Sequence, residues 1–141
     1  MLCADTSFLF SLYGYDAHTR HALALMGQSG QPLLLSPLNE FELANALRFA
    51  ESRALLPAGS AVKHLEALAE DHDAGRWRLS EIPLAEIVAE AGRLSATHTV
   101  IGVHRSFDIL HVAHARLAAP KRFLSFDANQ LRLAKAVGLR C

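Results

Sequence analysis

The chain has 141 residues, 51% of them hydrophobic, and 14 basic against 14 acidic side chains, so its formal charge is zero. That length suits one domain with a sizeable core, and no apolar run is long enough for a membrane span. Neutrality gives no sign of a nucleic-acid partner, and two cysteines at opposite ends, Cys3 and Cys141, make neither a disulfide framework nor a zinc site.

Leu2 to Ala4 reads as a short buried strand. Ser7 to Tyr13 and Ala17 to Met26 have helical spacing, with Gly14 interrupting them. The run "LLLS" (Leu33 to Ser36) is too short for a helix and reads as a second buried strand. "PLNEFELANALRFAESRALL" is helical, with Pro37 tolerated in its first turn. After the turn "PAGS", Ala61 to His72 is a further helix, and Trp77 to Leu79 is a strand candidate. Leu84 to Thr97 is helical, "THTVIGVHR" reads as an irregular connector, and Ser106 to Leu117 is a helix that Ser106 caps. "RFLSF" is a strand, Ala128 to Val137 a helix closed by Gly138, and "LRC" a possible last strand. Strands alternating with helices predict an α/β fold, a parallel central sheet flanked by helices on both faces, in one domain over residues 1–141. No basic segment leading into an apolar one marks a signal peptide, so a reducing cytoplasm is expected.

Acids stand where strands meet helices. Asp5 follows the first strand, Asp127 follows "RFLSF", Glu42 lies in the first turns after "LLLS", and Asp108 lies near the start of its helix. Ligands bind at that carboxyl edge in open α/β sheets. The simplest role for any one such acid is to cap a helix or complement its dipole. Asp108, however, shares a mostly apolar face with His111, Val112 and Ala115, and a carboxylate there needs a partner. Two carboxylates about 4 Å apart repel by roughly 4 kcal/mol at an effective dielectric near 20. No Lys or Arg neighbours Asp5, Glu42 or Asp127 in sequence, so a hard divalent cation is the expected counter-charge. Glu40 competes with Glu42, and two residues apart on a helix, about 200°, only one faces a common site. Periodicity does not separate them.

The stretches "ADTSFLFSLY", "SPLNEFELANALR", "SFDILHVAHARLA" and "RFLSFDANQLRLAKAVGL" run in order over almost the whole chain. In them the chain resembles PIN-domain nucleases, especially VapC-type toxins of bacterial toxin–antitoxin pairs. The resemblance implies a metal-dependent endoribonuclease holding one or two Mg²⁺ or Mn²⁺ ions. It implies an RNA substrate, a cognate antitoxin and a homodimer. Carried over by position, the catalytic and metal-binding acids are Asp5, Glu42, Asp108 and Asp127, with "ELANAL" selecting Glu42 over Glu40. Ser7 and Ser125 support them, Ser125 standing where a Thr is more usual.

The charge is unevenly spread: residues 101–141 carry +5 and the first hundred −5. The basic segment is either a solvated surface or an edge that offsets repulsion between the acids and RNA. Three rival readings stand beside the toxin: a housekeeping PIN-type nuclease without an antitoxin, a PIN-like binding module without catalysis, and a phosphoryl-transfer fold. The last is disfavoured, because "ADTS" lacks a second Asp two positions after the first.

Overall fold

The computed structural model describes all 141 residues, as four short strands and seven helices. In chain order these are β1 (Cys3–Ala4), α1 (Thr6–Tyr13), α2 (Thr19–Ser29), β2 (Leu33–Leu35), α3 (Pro37–Ser52), α4 (Ser60–Asp73), β3 (Trp77–Leu79), α5 (Leu84–Gly102), α6 (Ser106–Ala118), β4 (Phe123–Leu124) and α7 (Ala128–Ala136).

All pairing is parallel. β1 pairs with β4, β2 with β3, and a single bridge from Leu2 to Leu33 joins the two pairs into the order β4–β1–β2–β3. Side chains alternate across each strand. Leu2, Ala4, Leu33, Leu35 and Leu124 enter one core with residues of α1, α3 and α4, such as Phe8, Leu43 and Leu68. Cys3 and Phe123 enter a second core with Ile87, Val112 and Leu133 from α5, α6 and α7. The sheet is therefore covered on both faces, as its unbroken apolar strands require. The chain leaves β1 towards β2 and returns from β3 to β4 on the other side, so its direction reverses between β1 and β4. No helix is long and apolar enough to cross a membrane.

Three expectations are corrected. The connector predicted over 97–105 is mostly helix, since α5 runs on to Gly102 along α6 and stops where Val103 takes a left-handed φ of 54°. Packing on α6 overrides the weak helix propensity of "THTVIG". "LRC" forms no strand; a single bond from Phe123 N–H to the Arg140 carbonyl, 2.8 Å, is all it contributes to β4. Ser106 is the first residue of α6 rather than its cap, which falls on Arg105 with no side-chain capping bond.

His114 of α6 lies buried in this core and its Nε2 has no partner. Burial, with His111 nearby, lowers its pKa to about 4. The unfolded chain protonates this imidazole near 6.5 while the folded chain resists, so stability falls as pH drops from 6.5 to about 4. The urea midpoint, followed by emission of the single buried Trp77, is expected to fall more steeply over that window in the parent chain than in His114→Leu. Equal slopes contradict this.

Candidate active site

The carboxyl ends of β1 and β4 open into a cleft of about 450 Å³. Asp5, Glu42, Asp108 and Asp127 all line it, with Thr6, Ser7, Asp16, Arg105, His111 and Gln130 among their neighbours. Glu40 lies instead in a separate groove beside His72 and Asp73.

Asp5 is 1% exposed. Its Oδ1 accepts from Phe8 N–H at 2.9 Å, capping α1, and from the Ser7 hydroxyl at 2.8 Å. Its Oδ2 accepts from the Ser125 hydroxyl at 2.5 Å. Burial pushes this carboxyl above its ordinary range, against the opposing pull of those three donors and of His111. The capping role and the site role thus fall on one residue. The same holds for Asp127, whose Oδ1 accepts from Gln130 N–H at 2.9 Å to cap α7.

Glu42 is held by a relay that begins in the cap of α3. Asn39 Oδ1 accepts from Ser36 N–H at 2.9 Å, which turns Asn39 Nδ2 towards the Ala4 carbonyl and His111 Nδ1, 3.0 and 3.1 Å away. Nδ2 can only donate, so His111 Nδ1 accepts and its ring proton sits on Nε2. Nε2 lies 2.5 Å from Glu42 Oε2, which also accepts from the Thr6 hydroxyl. Burial raises the Glu42 carboxyl, but the bonds from His111 and Thr6 outweigh it, with the charge of Arg105 adding, and the group lies below its ordinary range. His111, which the sequence places on the face of Asp108, is thus a positioning group for Glu42.

Asp108 accepts from Gln130 Nε2 at 3.0 Å through Oδ1 and from Arg105 Nε at 3.0 Å through Oδ2. The Arg105 Nη2 also reaches Asp127 Oδ2 at 3.6 Å. Asp127 has no basic neighbour in sequence, and Arg105, 22 residues away, is its neighbour in the fold. Its side chain is 78% exposed, so these pairs are weak and the guanidinium is free to move. The basic segment does not otherwise face the cleft as a block. Lys121, Arg122 and Arg140 gather at the opposite, amino end of β4, and Arg116 is engaged by Glu90 at 2.5 Å.

Asp16, Asn39 and Gln130 were not singled out in the sequence. Asp16 is a fifth acid on the cleft, but it is engaged in local bonds from Ser11 and from His18 N–H. "DANQ" places Gln130 three residues after Asp127, the one signal that would have found it.

Apart from His111, engaged by Asn39 and Glu42, and His18, stacked on Phe126, the donors lining the cleft are oxygens, carboxylates with hydroxyls and an amide, and Gln130 Oε1 is buried without a partner beside Asp108. That chemistry fits a hard divalent cation. The spacing is open, however: no three His, Cys, Asp or Glu side chains lie close enough together to hold one ion. Each acid is satisfied by its own hydrogen-bond donors.

A family model described as PIN domain matches residues 2–136. No curated protein matches the chain. Among solved structures it is similar to the crystal structure of VapC20 from Mycobacterium tuberculosis, a sarcin-ricin loop cleaving toxin. The two share 18% identity and a TM-score of 0.72 over 99% of this chain and 96% of the other, a likeness of fold.

Because the folded chain holds the Asp5 carboxyl above 3.8, its ordinary value, it binds more protons there than the unfolded chain does. Stability from this group therefore falls as pH rises from that value. Asp5→Asn is expected to raise the thermal midpoint of the metal-free protein at neutral pH, with the gain shrinking towards about pH 4. A lower midpoint at neutral pH contradicts it.

Proposed function

The chain belongs to the PIN domain family, and from that premise we propose that it is a metal-dependent endoribonuclease, hydrolysing RNA phosphodiester bonds as the toxin of a toxin–antitoxin pair. The observation that carries the reading is the lining of one cleft by Asp5, Glu42, Asp108 and Asp127 at the reversal point between β1 and β4.

Asp5 and Asp108 would be the main holders of Mg²⁺ or Mn²⁺, as one or two ions, with Glu42 and Asp127 completing the set. Such an ion, when bound, supplies charge stabilisation at phosphorus and a water of lowered pKa. The remaining work falls to the chain. Ser7 and Ser125 fix both oxygens of Asp5, so its carboxylate presents one orientation. Thr6 and His111 both engage Glu42 Oε2, which leaves Oε1 to orient the attacking water. Arg105, exposed and weakly held, swings from Asp108 and Asp127 to a phosphate oxygen when RNA and metal enter. The antitoxin and the homodimer are supported by the resemblance to VapC-type toxins. The segment leading to Arg105 offers apolar surface for such a partner, with Val100 91% and Val103 77% exposed.

One observation favours the second reading, a PIN-like binding module without catalysis: the acids are internally satisfied, and no three form a metal-holding group. A housekeeping nuclease without an antitoxin is separated from the toxin by whether a small antitoxin-like reading frame adjoins the gene.

Purified protein incubated with mixed cellular RNA is expected to give discrete cuts with Mg²⁺ or Mn²⁺ and none with EDTA. Asp108→Asn is expected to slow cleavage by about a hundredfold or more. Folded protein that neither binds metal nor cuts RNA establishes the binding module instead.

A further inference from the structure

The cleft has an aromatic wall that the proposed chemistry does not use. Phe126 stands between Ser125 and Asp127, and its N–H donates to the Ser7 hydroxyl at 2.9 Å. The same hydroxyl donates to Asp5 at 2.8 Å, so the backbone of Phe126 is tied to the most buried acid through one oxygen. The Phe126 ring stacks on buried Phe8, centroids 5.4 Å apart, and on His18 at 4.6 Å with planes 13° apart. His18 is exposed and lines the cleft. It is held there by its N–H bond to Asp16 Oδ1 at 2.8 Å, while Asp16 Oδ2 accepts from the Ser11 hydroxyl at 2.8 Å.

A stack of rings that ends in an exposed imidazole beside an acidic cleft matches the π-face of a nucleobase. It also meets a need. With Arg105 the one basic residue of Lys or Arg type lining the cleft, phosphate attraction there is small, and affinity has to come from elsewhere. We propose that His18 and Phe126 form a nucleobase subsite, in which the base adjoining the scissile phosphate lies on His18 and extends the Phe8–Phe126–His18 stack. This rests on the ribonuclease reading for its substrate but not for its test.

The test compares two fluorescent probes of equal charge, a twelve-residue oligoadenylate and an abasic ribose-phosphate oligomer of the same length. Binding is read by anisotropy in EDTA, where no metal-dependent turnover consumes them. The parent protein is expected to bind the adenylate about tenfold more tightly than the abasic probe. His18→Ala is expected to lose that preference and His18→Tyr, which keeps a stacking plane, to retain it. Unchanged far-ultraviolet circular dichroism and Trp77 emission show that the variants are folded. Equal affinity for the two probes, a full preference in His18→Ala, or no measurable binding of the adenylate overturns the subsite. Cleavage of cellular RNA with Mg²⁺ is scored separately. Cleavage without base preference removes the subsite alone, and base preference in protein that neither binds metal nor cuts RNA removes the nuclease reading alone.

Discussion

Taking carboxylates out of water is the constraint around which the cleft is arranged. An ionised carboxylate buried at the edge of a sheet is costly unless hydrogen-bond donors or a counter-charge meet it. The chain meets it by giving each acid its own donors. Asp5 takes two serine hydroxyls and a helix N–H, Glu42 takes Thr6 and His111, Asp108 takes Gln130 and Arg105, and Asp127 takes the first turn of α7. Those donors come from α1, α6 and α7 and from the loops that lead into α6 and α7, so the topology that covers the sheet on both faces also assembles the site. The cap of α3 belongs to it too, since Ser36 orients Asn39, Asn39 orients His111, and His111 orients Glu42.

Two of the acids also cap helices, which dissolves the choice between a structural and a functional role. Asp5 caps α1 and Asp127 caps α7, each through Oδ1. Each keeps Oδ2 for the cleft, where Ser125 meets Asp5 and Arg105 meets Asp127. Arg105 is the one partner that is mostly exposed, and it links two acids rather than one. In the fold as it stands, this guanidinium occupies part of the electrostatic place that a divalent cation would take. Asp5, the most buried of the four acids, is the one whose carboxyl burial pushes above its ordinary range in spite of three donors.

Much of this was legible in the sequence because short-range rules govern it. Short unbroken apolar runs mark β1, β2 and β4, and acids at strand–helix junctions mark the four carboxylates that line the cleft. The errors lie where long-range packing decides. α5 outruns its propensity because α6 supports it, and the last three residues lack a partner strand long enough to pair. The contact of Arg105 with Asp127 spans 22 residues and has no local signal. Asn39 and Gln130 look like surface amides on helices, yet both are buried. His18 and Phe126 meet only because the loop before α2 folds back over the end of β4. Nothing local distinguishes a solvated surface from an RNA-facing edge in the +5 tail, whose charges the fold sends to opposite ends of β4.

For the cleft carboxylates to hold a divalent cation jointly, Arg105 and the donors must yield to it. The decisive measurement is titration of the metal-free protein with Mn²⁺, followed by electron paramagnetic resonance. Saturable binding is expected, weakened more than about tenfold in Asp5→Asn and in Asp108→Asn and tightened in Arg105→Gln as the competing cation is removed. Absent or non-saturable binding in the parent chain, or binding indifferent to both acid substitutions, contradicts it.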